Sequence, residues 1–252
     1  MLKLHMLCVL HFNSQPSIFI INNLTNYSIM KKILSVVALV MTVVAPVSAE
    51  VETTIGADVV SSYIWRGTDC GSAAIQPSLS LECGGLGLSF WGSYGLVDPA
   101  DTKEFDITLS YGIGGFSAGI TDYWFSAGSE PLGRYLKYES GASNHTFEGF
   151  LGYDLDFLSL GVYTNFYNDD DYSTYVELSA PFSAFGADWT ATAGFVPMES
   201  ELYGTGGFAV TNLTLSASKE LEITDKFSLP ISAGITVNPC SEMAYMVLGI
   251  SF

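Results

Sequence analysis

Positive charge is scarce in this 252-residue chain, where nine lysines and arginines stand against 26 acids. The shortage excludes nucleic acid and other phosphate-rich partners, which need clustered bases to offset phosphate charge. Histidine is scarcer still. Of the three present, His5 and His11 fall near the start and only His145 remains in the main body, with Ser143 two residues before it. A lone histidine beside one serine lacks the orienting group of a nucleophilic site, and no His or Cys spacing suits a metal. No catalytic set, metal or cofactor is therefore expected. Long apolar runs are missing too: 48% of the residues are hydrophobic, yet the main body has no stretch of the about 20 apolar residues that a helical bilayer crossing needs.

The exception lies near the start. Met30-Lys31-Lys32 precedes the apolar run Ile33 to Val44, and Ala45-Pro46-Val47-Ser48-Ala49 follows. A basic end, an apolar stretch and a small-x-small site make an export signal, with cleavage expected after Ala49. Residues Met1 to Ile29 read as an upstream extension outside the fold. Removing the first 49 residues takes Lys3, Lys31 and Lys32 and no acid, so the exported part, residues 50–252, holds six bases against 26 acids.

What the exported part does have is alternation. In Glu242–Phe252, Ala244, Met246, Leu248, Ile250 and Phe252 share one parity, so a strand here has one wholly apolar face. Such a strand leaves an edge that needs a partner, and a closed barrel supplies one in the first strand. Twelve segments fit this rhythm: 51–65, 74–83, 86–96, 103–113, 116–125, 144–154, 157–167, 172–180, 187–196, 207–218, 226–237 and 242–252. The fourth shows it well, with Phe105, Ile107, Leu109 and Tyr111 alternating with Glu104, Asp106, Thr108 and Ser110. Parity alone equally suits a soluble sandwich with polar residues outside. The links favour a barrel: Gly84-Gly85, Gly114-Gly115 and Leu155-Asp156 are short and alternate with longer ones, as periplasmic turns alternate with outer loops. Lys219–Asp225 fits the short side worst. The expected fold is all-β, a transmembrane antiparallel up-and-down β-barrel of about 12 strands in the bacterial outer membrane, with outer-membrane lipids as partners. Aromatics near strand ends, among them Tyr63, Trp65, Tyr123, Trp124, Phe125, Phe166, Tyr167, Phe182 and Phe185, are expected to form belts at the headgroups.

The polar parity puts Glu52, Asp58, Glu82, Glu104, Asp106, Glu148, Asp154, Glu177 and Asp188 inside. Asp58, Asp106, Glu148 and Glu177 are the candidates for an acidic lumen wall that favours cations; Glu52, Glu82, Asp154 and Asp188 lie toward the periplasmic rim. Phe150, Tyr163, Tyr175 and Tyr245 share the inward parity, so the pattern leaves open whether the lumen is clear. The longest link, 126–143, carries Arg134 and Lys137, which form a constriction if the loop enters the mouth and a surface flap if it does not. Asp169-Asp170-Asp171 reads as a solvated tip or a hard-cation site. Cys70 and Cys240 fall on loops that closure makes neighbours, so a disulfide between them is expected in an oxidising compartment, with Cys83 at the opposite rim.

Ala57-Asp58-Val59-Val60-Ser61-Ser62-Tyr63-Ile64-Trp65-Arg66-Gly67, followed by Ile75-Gln76-Pro77-Ser78-Leu79, resembles the opening of the TorF-type putative porin family, bacterial outer-membrane barrels of largely unassigned substrate. The resemblance implies a porin-like protein and carries over no catalytic residue. Arg66 has inward parity at the outer rim and is expected to pair with lumen acids. The sequence thus points to a passive narrow channel for small cationic or neutral solutes. The alternative is a closed structural or adhesive barrel acting through its outer loops. Neither solute nor oligomeric state is written in the pattern.

Overall fold

The computed structural model describes residues 50–98, 101–126, 135–141 and 143–252. The export signal, the upstream extension and Arg134 lie outside them. The strands are β1 (Glu52–Val60), β2 (Tyr63–Trp65), β3 (Thr68–Gly71), β4 (Ala74–Cys83), β5 (Leu86–Gly95), β6 (Lys103–Ile113), β7 (Phe116–Ser126), β8 (His145–Leu155), β9 (Leu158–Tyr167), β10 (Thr174–Ala184), β11 (Ala187–Val196), β12 (Glu199–Ser200), β13 (Thr205–Gly206), β14 (Ala209–Thr224), β15 (Phe227–Asn238) and β16 (Met243–Ser251). Twelve of them close into one antiparallel up-and-down barrel, while β2–β3 and β12–β13 form separate hairpins.

Local chemistry explains the meander. Gly84 and Gly85, both at positive φ, make the two-residue turn from β4 to β5, whose backbone twist matches that of the strands. β14 runs on to Thr224, so the expected link 219–225 shrinks to Asp225-Lys226 and all five turns at this end have two residues. The opposite end carries the long connections. Closure falls where the alternation of the final strand placed it: Asp58 faces Ser251, Val59 faces Ile250 and Val60 faces Gly249. Ala57 and Phe252 then exchange backbone hydrogen bonds of 3.2 and 3.0 Å, which satisfies the edge that β16 would otherwise expose.

The apolar parity faces outward, with Ile55, Leu151, Ile235, Met246 and Leu248 all more than half exposed. A barrel that turns its apolar face out and its polar face in is compatible with an outer-membrane barrel. At the short-turn end, exposed Tyr111, Phe116, Tyr153, Phe182 and Phe185 gather, and Phe182 stacks on Trp189 at 6.2 Å. This band has the make-up of an interfacial girdle. Tyr63, Trp65 and Tyr123 are corrected out of it, because they pack inside the barrel.

Candidate functional site

The first outer connection does not stand up from the rim. The chain leaves the wall after Val60, and β2–β3 turns into the lumen as a hairpin whose tip is Arg66 at φ 49° and Gly67 at φ 82°. Two consecutive left-handed residues make a type I′ turn, a role for which Gly suits the second position and Arg is a poor choice for the first. That cost of order 1–3 kcal/mol at Arg66 is tolerated where surrounding contacts fix the residue. The tip meets the far wall closely: a Cβ on Gly67 would lie 1.8 Å from the Thr211 carbonyl oxygen of β14. Asn238 Nδ2 donates to the Gly67 carbonyl at 3.0 Å. At the base, the Tyr63 ring lies 5.5 Å from Trp91.

Arg66 is the centre of the site. Its Nη1 and Nη2 donate to the two Glu148 carboxylate oxygens at 2.6 and 2.9 Å, a bidentate fork with side chains only 9% and 2% exposed. Nη1 also donates to Tyr203 Oη at 2.9 Å, and Tyr123 Oη donates to Glu148 at 2.9 Å. The guanidinium carbon sits 4.5 Å over Trp65, 4.2 Å over Tyr163 and 4.7 Å over Tyr175. Burial by itself opposes the charge, but Tyr203 and Glu148 more than offset it and hold the guanidinium protonated well above its ordinary range. Ring faces and a carboxylate around one cation make an aromatic cage.

A second inward element completes the plug. The β12–β13 hairpin brings Tyr203 into stacking contact with Trp65 and Tyr175, both at 5.8 Å. Tyr175, Val196 and Tyr203 are the packed core of the molecule, with Trp65 and Tyr163 against them. Tyr175 reaches this place because Gly194 on the neighbouring strand, opposite Glu177, has no side chain: a Cβ there would stand 1.9 Å from the Tyr175 phenol oxygen. Tyr175 Oη donates to Glu177 at 2.7 Å and accepts from Asn212 Nδ2 at 3.0 Å.

The expected wall residues therefore divide. Glu148 meets Arg66, and Glu177 joins the cage through Tyr175. Asp106 is buried, and its Oδ1 lacks a hydrogen-bond partner among the described residues. Asp58 lies by the β1–β16 seam, opposite Gln76 and Ser251, away from the cage. Glu52, Glu82, Asp154 and Asp188 are exposed toward the short-turn rim. The Arg66 cage occupies the long-loop half of the lumen, while these four acids near the short-turn end are exposed.

The longest loop corrects another expectation. Tyr135 packs on Phe105 and Trp124 at 5.5 and 5.8 Å, and Tyr138 stacks on His145 at 3.9 Å. These partners belong to the outward parity, so the described part of the loop, Lys137 included, lies against the outside of the wall. Lys137 is not a constriction residue; its aromatic neighbours find apolar surface outside and the mouth is already occupied. His145 is fully buried there, with Nδ1 2.7 Å from Asp122 Oδ1 and Nε2 2.5 Å from the Tyr135 carbonyl. Both ring nitrogens are engaged in strapping the loop down, and Ser143 Oγ accepts from the His145 backbone N–H at 3.3 Å.

The expected Cys70–Cys240 disulfide is absent: both are free thiols. The two loops do meet, through Asn238 and Gly67, but Cys70 turns inward with the β2–β3 hairpin and its thiol approaches the Thr68 carbonyl at 3.8 Å, while Cys240 is exposed. Burial, aided by Glu104 and Asp69, pushes the Cys70 thiol up to about 12. Because the thiolate is the reactive form, iodoacetamide at pH 8 is expected to label Cys240 within minutes and Cys70 at least tenfold more slowly, read by peptide mass. Unfolding in urea should equalise the two rates.

Above the plug, a cleft of about 670 Å³ opens outward between Trp65, Tyr123, Tyr167, Asn165, the 169–171 aspartates and Glu201. Asp169 is consumed by its own loop, taking hydrogen bonds from the backbone N–H groups of Asp171 and Ser173 and from Asn165 Nδ2. Among the described residues, no cluster of His, Cys, Asp or Glu is arranged to hold a metal.

Fold and site together define a twelve-stranded β-barrel whose long-loop half is occupied by two inward hairpins. No family model matches the chain, and no curated protein matches it.

Proposed function

We propose that this is an exported, porin-like outer-membrane barrel: a narrow, cation-leaning passive channel for small solutes, held shut at its outer end by the β2–β3 hairpin. The observation that carries this is the nature of the seal. The long-loop half of the lumen is occupied by a hairpin on two short tethers and latched by the buried Arg66–Glu148 pair, while the acids toward the short-turn end, Glu52, Glu82, Asp154 and Asp188, are exposed. Charge of one sign in a low-dielectric passage favours cations. Twelve strands leave more room than the eight that side chains just fill, so moving the plug would uncover a path. The resemblance of residues 57–67 to the TorF-type opening supports the same class, and it reaches the first strand and tip of the β2–β3 hairpin.

The experiment is planar-bilayer recording across a KCl gradient. The unmodified barrel is expected to give rare, small, cation-selective openings, and Arg66→Ala to give longer and larger ones with the same sign of reversal potential. Anion selectivity, or silence from both proteins, would defeat the channel. The tight stacking of Trp65, Tyr203 and Tyr175 favours the second reading, a permanently closed barrel acting through its outer loops, and silence from both would support it.

A further inference from the structure

We infer that the outer cleft is a binding site for small organic cations, molecules carrying an ammonium or guanidinium group on an apolar stem. This names the solute class of the proposed channel and rests on that reading for its consequence, though not for its geometry. Among the described residues, four acids line the cleft, Asp169, Asp170, Asp171 and Glu201, and no Lys, Arg or His does. Asp169 is spent on its loop, and one Asp171 oxygen accepts from the Glu201 backbone N–H at 2.7 Å. Asp170 and Glu201 are exposed on the rim, where their carboxylates face solvent over the cleft.

An acidic rim alone would be a solvated tip. A second feature points to a ligand: Asn165, which lines the cleft and is only 3% exposed, has a side-chain oxygen with no hydrogen-bond partner among the described residues. A buried carbonyl oxygen left without a donor costs about 1–3 kcal/mol, and an N–H donor from a cation would satisfy it. The floor suits the rest of such a molecule, since Trp65 and Tyr123 supply ring surface and Tyr167 and Leu202 flank it. A volume of about 670 Å³ is in the range of small-molecule sites.

The layer below shows the same recognition already realised. Arg66 is a guanidinium on an apolar stem, held by a carboxylate and the faces of Trp65, Tyr163 and Tyr175. Trp65 and Tyr123 belong to both layers, one side touching the Arg66–Glu148 pair and the other lining the cleft. A cation entering the cleft therefore lands against the rings that hold the latch.

The test uses the barrel in detergent micelles and needs no conductance. Benzylamine and benzylguanidine are titrated against benzyl alcohol and benzoate while tryptophan fluorescence is read, with Trp65→Phe identifying the signal from the cleft. Saturable binding of the two cations, at least tenfold weaker in the Asp170→Asn/Glu201→Gln double variant and absent for the alcohol and the acid, is expected. Both substituted residues are exposed, and heat-modifiable migration on gels verifies that the variant is folded. No saturable response to either cation, an equal response to benzyl alcohol, or cation binding unchanged in the double variant would each overturn the site. Binding without bilayer currents would sink the channel and spare the site; cation-selective currents without binding would do the reverse.

Discussion

Arg66→Ala is expected to lower the stability of the folded barrel by about 3–5 kcal/mol, the usual cost of removing one member of a buried ion pair, and to open the pore. The two effects share a cause. Glu148, with a side chain 2% exposed, would keep only Tyr123 of its two hydrogen-bonding partners, and the ring faces now turned to the guanidinium would surround a void. Glu148→Ala should cost a similar amount, since it strands Arg66 in the same cage. Replacing both, Arg66→Met with Glu148→Met, is expected to recover most of the loss, because well-packed apolar groups often substitute for a buried pair without penalty. Urea unfolding from lipid vesicles, followed by tryptophan fluorescence on Arg66→Ala, Glu148→Ala and the Arg66→Ala/Glu148→Ala double variant, gives the cycle. A coupling below about 0.5 kcal/mol, within the scatter of independent sites, would show that the fork contributes nothing beyond its packing. Currents separate stability from gating: both single variants should conduct more than the unmodified protein, whereas the double Met variant should regain most of the stability with its latch replaced by dispersion alone.

The barrel was legible because a meander repeats one local rule. Phe105, Ile107 and Leu109 alternate with Asp106 and Thr108, and the strand they predict is β6, with the predicted bounds 103–113 matched. The same held within a few residues for most segments. It failed where alternation outlived the wall. Tyr63 and Trp65 continue the parity of β1, so the reading ran through Ser61-Ser62, although the chain bends inward there. The clue was Arg66-Gly67, a pair that serves an I′ turn only because Arg66 accepts positive φ. Inward Tyr163 and Tyr175 were visible as a possible plug, but Tyr203, in a loop with no parity, was not.

The outer strap had a readable signal as well. Asp122 and His145 sit at outward positions, where a carboxylate and an imidazole facing lipid would be costly. Their presence there says that something covers that part of the wall, and Tyr135 and Tyr138 do. The cysteines were different in kind. Topology placed their loops together correctly, but which way each thiol turns follows from the inward fold of one hairpin.

Gly67→Val is expected to unseat the plug while leaving every latch residue in place. The new Cβ would come within 1.8 Å of the Thr211 carbonyl oxygen and 2.9 Å of its carbon; both are backbone atoms of β14, at the bulge where its pairing with β11 shifts register, and a backbone carbonyl cannot swing aside as a flexible side chain does. The hairpin must move instead. Displacing the tip drags Arg66 off Glu148, so the currents should resemble those of Arg66→Ala even though Arg66 is still present. Two causes could act at this residue, the positive φ and the close approach, and further variants tell them apart. Asn accepts left-handed backbone far better than Val, yet Gly67→Asn is expected to be nearly as harmful, because its Cβ meets the same carbonyl. Gly114→Asn is the control: φ is +57° and nothing lies within 4 Å of its Cβ, so a change below about 1 kcal/mol is expected. Urea midpoints and bilayer currents measured on the three variants decide the matter. If Gly67→Asn behaved like Gly114→Asn, the tip would not be wedged against β14, and the hairpin would be free to leave the lumen without the latch being cut.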